Sequence, residues 1–328
     1  MFVDNFLSDN PPPGQKQKSL GHIIFLHGFP DTCASFSSLC DRFSALGFVA
    51  HAPCLPGYSA GGEDRGKDPG NNDSRLRLEN IVLALAEFIT KIPLDKVHLI
   101  GHDWGSVIAQ AYAVKFPGSL KSLTVVSVPF DLMANALRLD PGQLRRSNYM
   151  AEMMSPSAER RLVGEGWLEF LVDTWSPSFR RTERNALLKN VRATFADPLV
   201  TRSSVDYYRV NVGLSSRAFH SFLTLLKPIT DSPLLLHIIT PLLYLLSYFL
   251  RIPYCHRHPV DLRLDDCQMD RRRVLMVCGE EDGCVSPELF KCMKDQVNVE
   301  ILGGGHWCFL EEEDEFFTTV LHHVRGNN

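Results

Sequence analysis

The first part of the chain alternates between short apolar runs and longer segments whose apolar residues recur at helical spacing. Short apolar runs between turn residues are typical of buried strands, and apolar residues three and four apart are typical of amphipathic helices. The pattern predicts strands at 22–26, 48–52, 97–100 and 120–128 and helices at 35–46, 76–92 and 106–116. Such alternation indicates an α/β fold, with a mostly parallel sheet and helices on both faces.

The alternation stops after Pro129 and resumes near Arg273. Residues 132–268 have the pattern of helices and loops, and we predict that they form a helical cap over the ligand-binding edge of the sheet. The core domain then comprises 20–131 and 269–328, completed by strands at 273–278 and 297–302 and helices at 288–293 and 313–324. The proline-rich residues 1–19 are expected to be a flexible lead-in.

The most apolar stretch of the cap is 234–250, an insertion interrupted by Pro241. A membrane-spanning helix needs about 20 apolar residues. This stretch is shorter and lies between two halves that share one sheet, so we do not expect it to span a membrane. Three interpretations remain: a buried helix lining a substrate tunnel, a homodimer contact, or a peripheral contact with a membrane surface.

Composition narrows the class of protein. The 328 residues carry a net charge of −4 and are 45% hydrophobic, which fits a large core and argues against nucleic-acid binding. The nine cysteines contain no Cys-x-x-Cys pair, so neither a zinc site nor a disulfide framework is expected. Free thiols and an amino terminus without a basic segment predict a cytoplasmic protein.

The first candidate for chemistry is Gly-His-Asp-Trp-Gly at 101–105, between an apolar run and a helix. The two glycines allow a sharp strand-to-helix turn that exposes the central side chain, that of Asp103. A carboxylate is ionised at neutral pH and forms an ester when it attacks a carbon. The alternative is that Asp103 only caps the following helix.

Asp282 and His306 each follow a predicted strand, as Asp103 does. The ends of parallel strands meet at one edge of a sheet, so these side chains are expected to lie together as nucleophile, acid and histidine. Glu280, Glu281 and Asp131 compete with Asp282 for the acid role. His306 is alternatively a packed histidine beside its neighbouring tryptophan, and His27 and His102 are expected to pack or to form hydrogen bonds.

His-Gly-Phe-Pro at 27–30 also follows a strand. The backbone N–H of Phe29 is a candidate donor of an oxyanion hole. The alternative is an ordinary loop between a strand and a helix.

Four motifs together resemble the epoxide hydrolases of the α/β-hydrolase fold: His-Gly-Phe-Pro at 27–30, Gly-His-Asp-Trp-Gly at 101–105, Glu-Glu-Asp at 280–282 and Gly-His-Trp at 305–307. The resemblance covers the core domain and part of the cap. It implies an inserted cap with two tyrosines that face the epoxide oxygen. Tyr208, within Asp-Tyr-Tyr-Arg at 206–209, and Tyr149 occupy the matching places.

The resemblance implies a two-step hydrolysis of a hydrophobic epoxide to a vicinal diol. Asp103 attacks the epoxide while Tyr149 and Tyr208 protonate its oxygen, and His306, oriented by Asp282, then activates the water that breaks the ester. The oxyanion hole is assigned to Phe29 and Trp104, and substrate contacts to Phe29, Pro30, Trp104, Tyr207 and Trp307. The substrate and water are the partners implied, with no metal or organic cofactor.

Two other functions are compatible with the motifs. A haloalkane dehalogenase also uses an aspartate, a histidine and an acid on this fold, but Phe29 stands where that family often has asparagine. A non-catalytic relative would bind a small ligand in the same pocket. The complete set of Asp103, Asp282 and His306 favours an enzyme.

Overall fold

A computed structural model describes residues 2–7, 19–59, 72–92, 96–130, 132–133, 140–164, 166–212 and 269–328. Its centre is a sheet of seven strands in the order β1-β3-β2-β4-β5-β6-β7. The strands are β1 (Val3–Leu7), β2 (His22–Leu26), β3 (Val49–Cys54), β4 (Val97–His102), β5 (Leu120–Val126), β6 (Val274–Gly279) and β7 (Asn298–Leu302). Neighbouring strands from β3 through β7 pair in parallel. This is the predicted α/β-hydrolase fold.

The central strands are mostly apolar because helices cover both faces of the sheet. Every residue of β2, β4 and β6 is buried. The helices of the core are α1 (Ser37–Ala45), α2 (Asn72–Arg75), α3 (Leu78–Thr90) and α4 (Trp104–Lys115). The carboxyl ends of the parallel strands, which are far apart in the sequence, therefore meet at one edge of the sheet.

The amino-terminal segment differs from the prediction. Within the expected lead-in 1–19, residues Val3–Leu7 form the edge strand β1, antiparallel to β3. The proline cluster that suggested a flexible segment comes after this strand and lies outside the described residues.

The cap is helical, as far as the structure describes it. Between β5 and β6 lie α5 (Pro141–Arg146), α6 (Tyr149–Met154), α7 (Ala158–Val163), α8 (Trp167–Trp175), α9 (Arg181–Phe195) and α10 (Pro198–Asn211). After β6 follow α11 (Glu288–Lys291), α12 (Cys308–Glu311) and α13 (Glu313–Gly326). The apolar stretch 234–250 lies outside the described residues, and none of the described helices is long and apolar enough to cross a membrane.

Two residues of the cap, Gln143 and Trp175, fix it on the loops that follow β6 and β7. The buried Gln143 side chain donates to the carbonyl of Cys284 at 2.9 Å and accepts from the N–H of Ser286 at 2.8 Å. At the end of α8, the carbonyl of Trp175 accepts hydrogen bonds from the N–H groups of Gly283 at 3.0 Å and His306 at 2.9 Å. Cap and core are therefore joined by hydrogen bonds to the backbone.

Cysteine chemistry also differs from the expectation of free thiols. Cys33, just after the 27–30 motif, and Cys54, at the end of β3, are joined by a disulfide. The two are 21 residues apart in the chain and become neighbours only through the parallel pairing of β2 with β3. Among the other described cysteines, Cys278, Cys284, Cys292 and Cys308 remain thiols.

Candidate active site

The turn between β4 and α4 holds Asp103 in a strained conformation, with φ 52° and ψ −118°. The flanking glycines are required by close packing of the backbone. A Cβ on Gly101 would lie 2.2 Å from the carbonyl oxygen of Gly105, and one on Gly105 would lie 2.1 Å from that of Leu26. The turn therefore presents the carboxylate of Asp103 at the edge of the sheet. The aspartate itself is almost inaccessible to solvent.

Each carboxylate oxygen of Asp103 faces a different group. Oδ1 accepts a hydrogen bond from the backbone N–H of Phe29 at 2.6 Å. Oδ2 lies 3.7 Å from Nε2 of His306. Gly28 makes room for this arrangement, since a Cβ there would lie 2.3 Å from Oδ1. Trp104 begins α4, where backbone N–H groups have no partner within the helix.

His306 and Asp282 are paired as predicted from their positions. Nδ1 of His306 lies 2.9 Å from Oδ2 of Asp282. The other oxygen of Asp282 accepts from the N–H groups of Cys284 at 2.7 Å and Val285 at 2.9 Å. With all these bonds made to an ionised carboxylate, Nδ1 carries a proton and Nε2 points towards Asp103.

The competing acids do not occupy this place. Glu280 and Glu281 are exposed, and Asp131 lies outside the described residues. Burial alone would lower the pKa of His306, but the charges of Asp282 and Asp103 raise it to about 10. In this resting arrangement the imidazolium lies between two carboxylates.

The backbone of His306 is held by Ser127, for which no role was predicted, and by His102, which was expected to pack or to form hydrogen bonds. Its carbonyl oxygen accepts from Oγ of Ser127 at 2.8 Å and from Nε2 of His102 at 3.0 Å. Burial lowers the pKa of His102 well below its usual value, so His102 is neutral. Ser127 has a φ of 63°, in the left-handed region that serine rarely adopts. A non-glycine residue in this conformation directly after a strand is a structural signal that the sequence does not carry.

Tyr208 and Tyr149 meet above the carboxylate. The ring of Tyr208, on α10, lies edge-on to Phe29 and to Trp104, both at 5.3 Å. Tyr149 begins α6, and its ring lies 5.8 Å from that of Tyr208. Burial raises the pKa of both phenols well above the usual value, so both keep their protons at neutral pH. The hydroxyl of Tyr208 has no hydrogen-bond partner among the described residues.

The remaining predicted contact residues lie in two places. Tyr207 packs edge-on against Trp104, but its hydroxyl donates to the carbonyl of Pro56 at 2.9 Å and is thereby engaged. Trp307 is buried and stacks on Trp175 at 5.9 Å. Pro30 is buried beside Phe29. The substrate contacts assigned to these residues remain predictions.

Asp31 is a buried carboxyl group beside the site that sequence analysis left without a role. Oδ1 accepts from the backbone N–H of Thr32 at 2.7 Å and from the hydroxyl of Ser35. Oδ2 lies 3.9 Å from Nδ1 of His102. Burial raises the pKa of Asp31 to about 7, although the hydrogen bonds act in the opposite direction. Its position directly after the 27–30 motif, in the loop that follows β2, is the signal that could have identified it.

Among the described residues, no group of three or more histidine, cysteine, aspartate or glutamate side chains is placed to hold a metal ion. The parallel strands of the sheet bring the strained turn at Asp103 and the pair of Asp282 and His306 together at one edge. A model of the alpha/beta hydrolase family matches residues 23–319. The chain belongs to the alpha/beta hydrolase family.

Within this family the chain is similar to epoxide hydrolases. It is 33% identical over 108 residues to epoxide hydrolase 2 of Siraitia grosvenorii, covering 33% of this chain and 32% of that protein. It is 26% identical over 207 residues to epoxide hydrolase 3 of Mus musculus, covering 58% of this chain and 52% of that protein. The aligned region thus spans about a third to a half of the length of these curated relatives.

The same α/β-hydrolase fold occurs in a crystal structure of an epoxide hydrolase variant from Bacillus megaterium. The TM-score is 0.65, and the alignment covers 99% of this chain and 96% of that chain. Sequence identity is 16%, so this likeness establishes the fold. Together with the family match, it confirms the fold class predicted from the sequence.

Buried histidines make a prediction about stability. Burial lowers the pKa of His22, His27, His98 and His323 to about 4. In the unfolded chain a histidine titrates at about 6.5, so unfolding takes up protons between pH ~6.5 and ~4. The free energy of unfolding therefore decreases as the pH is lowered through this range. Asp31 acts oppositely, because its folded pKa of about 7 lies above the ordinary 3.8.

We therefore expect the melting temperature to fall as the pH is lowered from about 7 to about 5. Each of the four histidines contributes up to about 1.4 kcal/mol per pH unit. Together they outweigh Asp31, Glu311 and His306, whose raised pKa values act in the opposite direction. Thermal unfolding followed by circular dichroism at constant ionic strength measures the effect. A melting temperature that is constant or rises towards pH ~5 would contradict the prediction.

Proposed function

We propose that this α/β-hydrolase converts a hydrophobic epoxide to a vicinal diol through an ester of Asp103. One observation carries the proposal: the carboxylate of Asp103 is held by the N–H of Phe29 and faces His306, and the phenol rings of Tyr208 and Tyr149 pack together beside Phe29 and Trp104. A serine hydrolase needs a hydroxyl at this turn, whereas a carboxylate attacks a saturated carbon. The buried phenols supply the protons that the departing epoxide oxygen requires.

In the first step, a carboxylate oxygen of Asp103 forms a bond to an epoxide carbon and the carbon–oxygen bond of the ring breaks. The epoxide oxygen takes a proton from Tyr208 or Tyr149. Because burial raises the pKa of both phenols, neither loses its proton before the alkoxide develops. The product of this step is a hydroxyalkyl ester of Asp103.

The ester changes the electrostatics of His306. While Asp103 is ionised, its charge and that of Asp282 keep His306 protonated. Esterification neutralises Asp103, which removes one of the two charges that raise the pKa of the imidazole. His306 then gives up its proton, which restores the phenol that protonated the epoxide oxygen, and takes another from the water that attacks the ester carbonyl. The N–H groups of Phe29 and Trp104 stabilise the oxyanion. When the intermediate collapses, the bond between the Asp103 carbonyl carbon and the alkoxy oxygen breaks, that oxygen takes the proton from His306, and the diol leaves with Asp103 restored.

Aromatic side chains around the carboxylate favour an apolar substrate. The rings of Phe29 and Phe195 stack at 6.1 Å, and Tyr58 lies 6.2 Å from Phe195. All three side chains are buried. Such walls offer apolar contact and few polar partners, which suits an aryl, terpenoid or fatty-acid epoxide.

A substrate panel tests the proposal. The protein is incubated with aryl, terpenoid and fatty-acid epoxides and with a haloalkane, and diol and halide are measured. We expect diol from at least one epoxide, and loss of at least about a thousandfold in Asp103→Asn, whose amide is a poor nucleophile. Halide release without diol would identify a dehalogenase. Tight binding of an epoxide with no turnover would identify a non-catalytic binding protein.

A further inference from the structure

The guanidinium group of Arg209 joins three helices of the cap. Nη1 donates to Oε1 of Glu159 at 2.6 Å, and Nη2 donates to Oε2 of the same carboxylate at 3.1 Å. Nη2 also donates to the carbonyl of Ser155 at 2.8 Å, and Nη1 lies 3.3 Å from Oδ1 of Asp206. These contacts connect α10 with α7 and with the residue that ends α6.

The connected helices carry the two phenols. Tyr208 precedes Arg209 on α10, and Tyr149 is the first residue of α6. The start of this part of the cap is fixed on the core by Gln143, and the end of α6 is fixed on α10 by Arg209 through Ser155. The contact with Ser155 thus ties the end of α6, the helix that begins at Tyr149, to α10, the helix that carries Tyr208.

The chemistry of these contacts requires arginine. The carbonyl of Ser155 is at the carboxyl end of a helix, where backbone acceptors lack partners and a cation is favoured. The planar guanidinium serves this carbonyl and both carboxylate oxygens of Glu159 at once, which an ammonium group does not do. Burial opposes the charge of Glu159, yet the hydrogen bond from Arg209 lowers the pKa of Glu159. The pair is therefore charged at neutral pH.

We propose that Arg209 is a positioning residue for ring opening, because it holds Tyr149 and Tyr208 at the separation that lets both reach one epoxide oxygen. The inference rests on the proposed function. Its effect is confined to the first step, because the second depends on Asp103, Asp282 and His306, which are held by the core and by the carbonyl of Trp175. Arg209 has no hydrogen bond or ion pair with any of these residues.

Arg202 provides a matched control on the same helix. Its Nε lies 3.6 Å from Oδ2 of Asp206, and its side chain is half exposed. It carries the same charge as Arg209, but its ion pair stays within α10. Removing it tests the effect of losing a cation from the helix while the link to α6 and α7 is kept.

The experiment separates the two chemical steps in the full-length chain with styrene oxide as the probe. Rapid quenching followed by intact-protein mass spectrometry gives the rate at which the ester forms and the rate at which it disappears. We expect Arg209→Gln and Glu159→Gln to slow ester formation by about tenfold to a hundredfold. Ester breakdown should stay within about twofold of the unsubstituted protein. Arg209→Lys should form the ester at a rate between those of Arg209→Gln and the unsubstituted protein. Arg202→Gln should change neither ester formation nor ester breakdown.

An equal loss in both steps, or no loss in ester formation, would overturn the inference. Melting temperatures are measured alongside, and if Arg209→Gln does not fold, Glu159→Gln decides, since it removes the same link from the other side. If the unsubstituted protein forms no ester with any epoxide of the panel, the proposed function fails. A normal ester in the unsubstituted protein with unaltered variants rejects the role of Arg209 alone.

Discussion

Replacement of His306 by glutamine is expected to stop turnover and to leave the protein esterified at Asp103. Glutamine keeps the approximate size of the side chain but has no basic nitrogen. In the proposed mechanism, ring opening needs only Asp103 and the two phenols, whereas hydrolysis of the ester needs His306 as the base that Asp282 orients. We expect turnover to fall by about a thousandfold to ten-thousandfold, as for the loss of a general base, while the first step continues.

Intact mass spectrometry after exposure to an epoxide measures this outcome. The mass should increase by that of one epoxide molecule, and peptide mapping should place the adduct on Asp103. His322→Gln is the matched control, because His322 is exposed on α13 and contributes nothing to the site. An epoxide that binds to the His306→Gln variant without any covalent adduct would show that Asp103 is not the nucleophile.

Substitution of Gly105 by alanine is expected to destabilise the protein severely. The added Cβ would lie 2.1 Å from the carbonyl oxygen of Leu26 and 2.6 Å from that of His27. Both neighbours belong to the backbone where β2 ends, so neither moves aside as a flexible side chain would. Overpacking of this kind costs about 1–3 kcal/mol and sometimes more, and the rigid surroundings place this case at the upper end.

Chemical denaturation of the Gly105→Ala variant measures the loss. Gly326→Ala is the control, since an added Cβ at the end of α13 meets nothing within 4 Å. Alanine is favoured over glycine in helices by about 1 kcal/mol, so the control should be neutral or slightly more stable. Equal stability of the Gly105→Ala variant and the unsubstituted protein would mean that β4 and α4 do not approach β2 as closely as described.

The parts of the site that follow strands were accessible to sequence analysis. Asp103, Asp282 and His306 come directly after apolar runs, and parallel strands bring their carboxyl ends together. That geometry is a property of the fold, so the motifs place the residues without any knowledge of their contacts. Asp282 was preferred to Glu280 from the sequence, and the structure distinguishes the two by burial.

Other features depend on groups that a sequence does not display. The carbonyl of Trp175 and the left-handed backbone of Ser127 are main-chain properties, and residue identity says little about either. The disulfide of Cys33 with Cys54 arises from the pairing of β2 with β3. The strand Val3–Leu7 is an edge strand, whose pairing is set by its neighbour more than by its own residues.

Under the proposed function, the carbonyl of Trp175 restricts the routes by which a substrate can reach Asp103. It holds the N–H groups of Gly283 and His306, so the end of α8 is bonded to both the acid loop and the histidine. If the cap lifted along this side, those bonds would break and the base would lose its alignment. A substrate that enters without disturbing the alignment of His306 therefore needs a route that leaves these hydrogen bonds intact. The hydrogen bonds of the Trp175 carbonyl therefore tie the alignment of His306 to the position of α8.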